Sequence, residues 1–141
     1  MIDSDFIKNS KINIQDVSRE TLDELKMYSL SIIKKNKEIN LISSSTEKSI
    51  NTRHIADSAQ IIDFINKNDV NVCTDLGSGA GLPGIVLAIL MKSKKPKFKV
   101  IFYEKSYHKS NFLKEISKKF KLNTEINQKN IFDQKIYEQT L

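Results

Sequence analysis

Val70-Asn71-Val72-Cys73-Thr74-Asp75-Leu76-Gly77-Ser78-Gly79-Ala80-Gly81-Leu82-Pro83-Gly84 is the stretch whose reading decides the fold. Its first seven residues are rich in β-branched side chains and run straight into alternating glycines, the pattern of a strand closed by a tight turn. Leu82 to Met91 is then apolar throughout and predicts a helix. Pro96, within the lysine-rich 92–99 stretch, breaks that helix, and Phe98 to Tyr103 predicts a second strand ending at Glu104. Ser110 to Phe120 carries Phe112, Leu113, Ile116 and Phe120 at helical spacing, and Asn123 to Gln128 predicts a short third strand.

This β-α-β-α-β order predicts one half of a doubly wound parallel sheet, an α/β Rossmann-like fold. Right-handed crossovers place the strands in the order 3-2-1. Only 13 residues follow Gln128, so the later strands of such a sheet are expected to be missing. The first strand is then an edge, which exposes Val70, Val72 and Thr74 and predicts marginal stability and no activity for these residues alone.

Upstream the pattern is helical. Thr21 and Glu24 have capping-box spacing ahead of Leu22, Leu25, Tyr28, Ile32 and Ile33, and this helix is expected to end between Asn36 and Asn40. Ser43-Ser44-Ser45 offers caps for a second helix over Thr46 to Thr52, and Ile55, Ala59, Ile62 and Ile65 mark a third. The expected division is a helical extension over residues 1–68 and an incomplete cofactor-binding half-domain over residues 69–141.

Composition bounds the function classes. With 39% hydrophobic and 28% charged residues the chain is expected to be globular. A net charge of +6 favours a polyanionic partner, although a Lys-, Asn- and Ile-rich bias along the whole chain produces the same excess. The lysines of residues 92–99, and Lys105, Lys109, Lys114, Lys118 and Lys119, are read first as solvated. Cys73 is the single cysteine, which excludes an internal disulfide, and it is expected to be a small buried strand residue. Neither a secretory signal nor a membrane span is recognisable, so a cytoplasmic protein is expected.

The turn carries the chemistry. Glycines let the backbone approach a ligand with no Cβ in the way, and the following helix start adds amides aimed at the same place. Gly79-Ala80-Gly81-Leu82-Pro83-Gly84 also matches the dinucleotide pattern G-x-G-x-x-G, in which the amides bind a pyrophosphate. Pro83 removes one of those amides, and Asp75 sets an anion beside the would-be phosphates. S-adenosylmethionine inverts the preference, because it has no phosphates and carries an ammonium and a sulfonium that Asp75 helps to hold. Glu104, at the end of the second strand, is placed to accept ribose hydroxyls in either class. Gly77, Gly79 and Gly81 complete this candidate cofactor site; no metal is expected. A nicotinamide-dependent oxidoreductase remains as the least favoured alternative.

From Asp75 to Gly84 the chain closely resembles the RsmG/GidB family, bacterial enzymes that methylate N7 of a guanine in small-subunit ribosomal RNA. The Gly-Leu-Pro-Gly extension sets that family apart from methyltransferases in general. Asn40-Leu41 and Arg53-His54-Ile55-Ala56-Asp57-Ser58 resemble its N-terminal signatures, so the likeness covers most of residues 20–130. It implies that Gly77, Leu82, Glu104 and Asn130-Ile131 contact S-adenosylmethionine. Family members often carry Asp at the place of Glu104 and an acidic residue near Ile131, for which either backbone alone or Asp133 serves here. Arg53, His54 and Asp57 are implied on the RNA side, with His54 equally readable as a tie between the helical extension and the sheet. The family's functional arginine lies beyond Leu141, so no residue here takes that role, and none is assigned as catalytic. The resemblance implies small-subunit ribosomal RNA as partner and a monomer when complete. The alternative from another class is a basic RNA- or protein-binding remnant without chemistry.

Overall fold

A computed structural model describes residues 17–50 and 55–130. Its elements, in chain order, are α1 (Arg19–Asn36), α2 (Ser44–Lys48), α3 (Ala56–Lys67), β1 (Val72–Leu76), α4 (Gly84–Lys94), β2 (Lys99–Tyr103), α5 (Tyr107–Lys119) and β3 (Thr124–Asn127). The three strands form one parallel sheet with β2 in the centre, which is the expected order. Val72 pairs with Lys99 and Leu76 with Tyr103, while Val100 pairs with Thr124 and Tyr103 with Asn127. The carboxyl ends of all three strands therefore finish side by side, at the glycine turn and Glu104.

α4 explains why so apolar a run is a helix and not a strand. Every residue from Gly84 to Met91 is buried, because α3, α1 and the strands β1 and β2 all pack against it. A helix apolar on all faces needs cover on all faces. α5 is the contrasting case. It buries Ser110, Phe112, Leu113 and Ile116 and turns its lysines outward.

Three helix starts differ from the sequence reading. α1 is capped by Ser18, whose hydroxyl accepts from the Thr21 amide at 3.1 Å. Thr21 therefore lies inside the first turn, and Glu24 is taken by Lys92 from α4. α4 begins at Gly84, with Leu82 and Pro83 still in the turn. α5 starts earlier than expected because Ser106 supplies a cap, its hydroxyl accepting from the Lys109 amide at 3.3 Å.

Two lysines of the 92–99 stretch are structural, not solvated. Lys92 Nζ donates to both oxygens of Glu24 at 2.8 and 3.0 Å and to the Phe120 carbonyl at 2.8 Å, stapling α1, α4 and the end of α5. Lys95 Nζ reaches Asp69 at 2.8 Å and the Val70 carbonyl at 3.0 Å. Among the described residues β1 is an edge strand, and Val72 and Leu76 are 51% and 52% exposed. Cys73 on the same strand is half-buried rather than buried.

Candidate functional site

The turn after β1 is held from several directions. Gly77 N donates to the Tyr103 carbonyl at 2.9 Å, which extends the β1–β2 ladder by one bond. Ser78 Oγ donates to the Asp75 carbonyl at 3.0 Å, and Gly81 N to the Ser78 carbonyl at 2.8 Å. Tyr28 Oη, from α1, donates to the Ala80 carbonyl at 2.7 Å. Gly81 has a φ of +94°, and an added Cβ there would stand 2.4 Å from Ile85 Cγ1 and 2.9 Å from Leu113 Cδ2. At Gly84 the clash would be with Phe102 Cε1 at 2.4 Å and Asp75 Oδ2 at 2.8 Å. These two glycines are needed for packing under the turn.

Gly77 and Gly79 are different. No heavy atom of the described residues lies within 4 Å of where their Cβ would be, so the outer surface of the turn is bare backbone open to a ligand.

Glu104 is buried beside this surface. Its Oε2 accepts from Gly79 N at 2.8 Å and its Oε1 from Ser106 N at 3.0 Å. The carboxylate thus bridges the glycine turn and the start of α5. An acidic residue in this place serves the turn's own geometry, a role the sequence did not disclose.

Asp75 lies beneath the turn. Its Oδ2 accepts from Gly84 N, the first amide of α4, at 3.1 Å. Burial pushes its pKa up to about 6, the Gly84 amide pulls the other way, and Glu104 adds to the rise. Two carboxylates so near one turn make the site electronegative, which favours a cationic ligand over a pyrophosphate. Burial and the nearby Asp75 charge also raise the Tyr28 phenol well above 10, so it stays a donor. The Cys73 thiol is raised by burial and by Asp75.

Leu82 is half-buried and packs on the core beside the turn. Asn130 is exposed, three residues beyond the end of β3 at Asn127. Asp57 is exposed in the first turn of α3. Arg53, His54, Ile131 and Asp133 lie outside the described residues. The structure therefore brings together Asp75, Gly77, Gly79, Gly81, Leu82 and Glu104, and adds Tyr28 and Ser106 to them. Among the described residues there is no group of three or more His, Cys, Asp or Glu that could hold a metal ion, and no helix long and apolar enough to cross a membrane.

A parallel sheet with a bare glycine turn and an acidic residue at the ends of adjacent strands defines a Rossmann-like α/β fold of the methyltransferase kind. The chain belongs to the family described as rRNA small subunit methyltransferase G, whose profile matches residues 21–140. It is 50% identical over 121 residues to ribosomal RNA small subunit methyltransferase G of Pelagibacter ubique, covering 84% of this chain and 56% of that protein. The protein of the same name from Jannaschia sp. is 40% identical over 117 residues, 83% of this chain and 55% of its own length. That of Bartonella henselae is 54% identical over 82 residues, 58% of this chain and 37% of its own length. The chain spans about half the length of the first two of these relatives.

Proposed function

We propose that this chain forms the cofactor side of an enzyme that transfers a methyl group from S-adenosylmethionine to N7 of a guanine in small-subunit (16S) ribosomal RNA. The observation that carries the reading is the open surface over Gly77 and Gly79, flanked by the Glu104 and Asp75 carboxylates. S-adenosylmethionine supplies an electrophilic methyl carried on a sulfonium. Glu104 accepts ribose hydroxyls with the lone pairs its two amide bonds leave over. Asp75 biases the site toward the ammonium, Gly77, Gly79 and Leu82 line the rest of the cofactor cleft over the turn that Gly81 packs from beneath, and the family resemblance adds Asn130 and Ile131 as candidates.

Guanine N7 bears a lone pair and no proton, so no general base is needed. The work of the residues is to hold the reacting atoms in line and to accommodate positive charge on the base. That fits a glycine turn whose described residues include no nucleophile. Arg53, His54 and Asp57, all in the proposed helical extension (1–68) that precedes the cofactor half (69–141), are proposed on the RNA side. The exposed lysines Lys114, Lys118 and Lys119 of α5 add phosphate attraction. The protein is read as cytoplasmic and monomeric.

Calorimetric titration with S-adenosylmethionine, with a nicotinamide dinucleotide as control, tests the reading. Selective binding is expected, and E104Q, checked for folding by circular dichroism, is expected to lose it. A folded wild-type chain that does not bind would leave an RNA- or protein-binding remnant as the better account.

A further inference from the structure

We infer that Tyr28 is a positioning residue for the glycine turn, which makes α1 a working part of the site. The inference rests on reading that turn as the S-adenosylmethionine site. Tyr28 occupies the buried stripe of α1 with Leu22, Leu25 and Ile32, and is 0% exposed. Packing alone is satisfied there by Phe or Leu. A phenol instead carries a hydroxyl into the core, where leaving it unpaired is costly, so its partner matters. That partner is the Ala80 carbonyl, 52 residues away, at 2.7 Å.

The bond acts on one peptide plane. Ala80 C=O and Gly81 N–H belong to the same rigid amide. Tyr28 holds its oxygen, and the Ser78 carbonyl holds its nitrogen at 2.8 Å. The plane hangs between the Cα atoms of Ala80 and Gly81, and on its Gly81 side φ is +94° with no side chain to anchor it; Gly79, at φ +54°, follows the same pattern one peptide earlier. A peptide followed by glycine rotates more cheaply than one between two side-chain-bearing residues, and Tyr28 Oη is the tie that reaches it from α1. Removing that hydroxyl frees the plane, so the turn spends part of its time in shapes that cannot accept ligand, and apparent affinity falls by that fraction.

Y28F keeps the ring and deletes only the hydroxyl. K92M is the comparison, because it breaks the staple to Glu24 and Phe120 about 12 Å further along α4 and removes none of the turn's own hydrogen bonds. Urea unfolding, calorimetric affinity for S-adenosylmethionine and Gly81 amide exchange without cofactor are measured on wild type and both variants. Both variants are expected to lose stability. Only Y28F is expected to bind about 3- to 10-fold more weakly, the worth of one net hydrogen bond, and to exchange its Gly81 amide faster. Equal affinity in Y28F and wild type, or equal weakening in Y28F and K92M, overturns the inference. A wild-type chain that binds no cofactor refutes the site reading instead, and Gly81 exchange then decides the tie. Faster exchange in Y28F supports it, and unchanged exchange overturns it.

Discussion

Replacing Asp75 by Asn is expected to stabilise the fold while weakening the cofactor site. In the folded chain the Asp75 carboxyl titrates at about 6 against an ordinary value of 3.8, chiefly because it is buried beneath the turn. Between about pH 4 and pH 6 the folded state therefore keeps a proton that the unfolded state has released, so stability falls as pH rises through that window and levels off above it. The full difference amounts to about 3 kcal/mol, the cost of holding this carboxylate ionised at neutral pH. Asparagine imitates the neutral acid, and its amide oxygen can still accept from Gly84 N. D75N should match wild type near pH 4 and exceed it by up to about 3 kcal/mol at pH 8. Asp69, whose carboxyl is lowered by its hydrogen bond to Lys95, titrates alike in both proteins and cancels in the difference. Urea denaturation of the two proteins at pH 4, 5, 6, 7 and 8 reads this directly, and titration with S-adenosylmethionine at pH 8 should show weaker binding by D75N. A stability difference that does not vary with pH, or a D75N chain less stable than wild type at pH 8, would refute the reasoning.

Gly84→Ala should destabilise by about 1–3 kcal/mol or more, since its methyl would meet Phe102 and Asp75 in a packed layer; a thermal midpoint equal to that of wild type would contradict this. Gly77→Ala meets no neighbour, so its smaller loss should come only from its φ of +69°, and the two variants compared by urea unfolding should rank in that order. Val72→Thr with Leu76→Thr should reduce self-association, measured by light scattering against concentration, because both side chains lie half-exposed on the open edge of β1.

The sheet was legible in the sequence because its signals are local. A β-branched run ending in Asp75-Leu76-Gly77 needs no distant partner to be read as strand and turn, and strand order then follows from chirality. Helix starts were less legible. Ser18, Thr21 and Ser106 are all plausible caps, and the choice at Glu24 was settled by Lys92, 68 residues away. The two groups that shape the turn from outside were hidden for the same reason. Tyr28 sits in an apolar stripe and looks like core until Ala80 is found above it. Glu104 reads as a ligand for a sugar, and nothing local reveals that Gly79 already holds it.

That engagement of Glu104 bears on how fast a ligand can arrive. A carboxylate has about four lone-pair sites, and two amides occupy two of them. On the proposed reading, an incoming diol would join this arrangement without displacing a bond that keeps the turn in shape. If the proposed cofactor is captured this way, mixing it with the protein should give a single association phase whose rate is set by encounter and orientation, with no slow step.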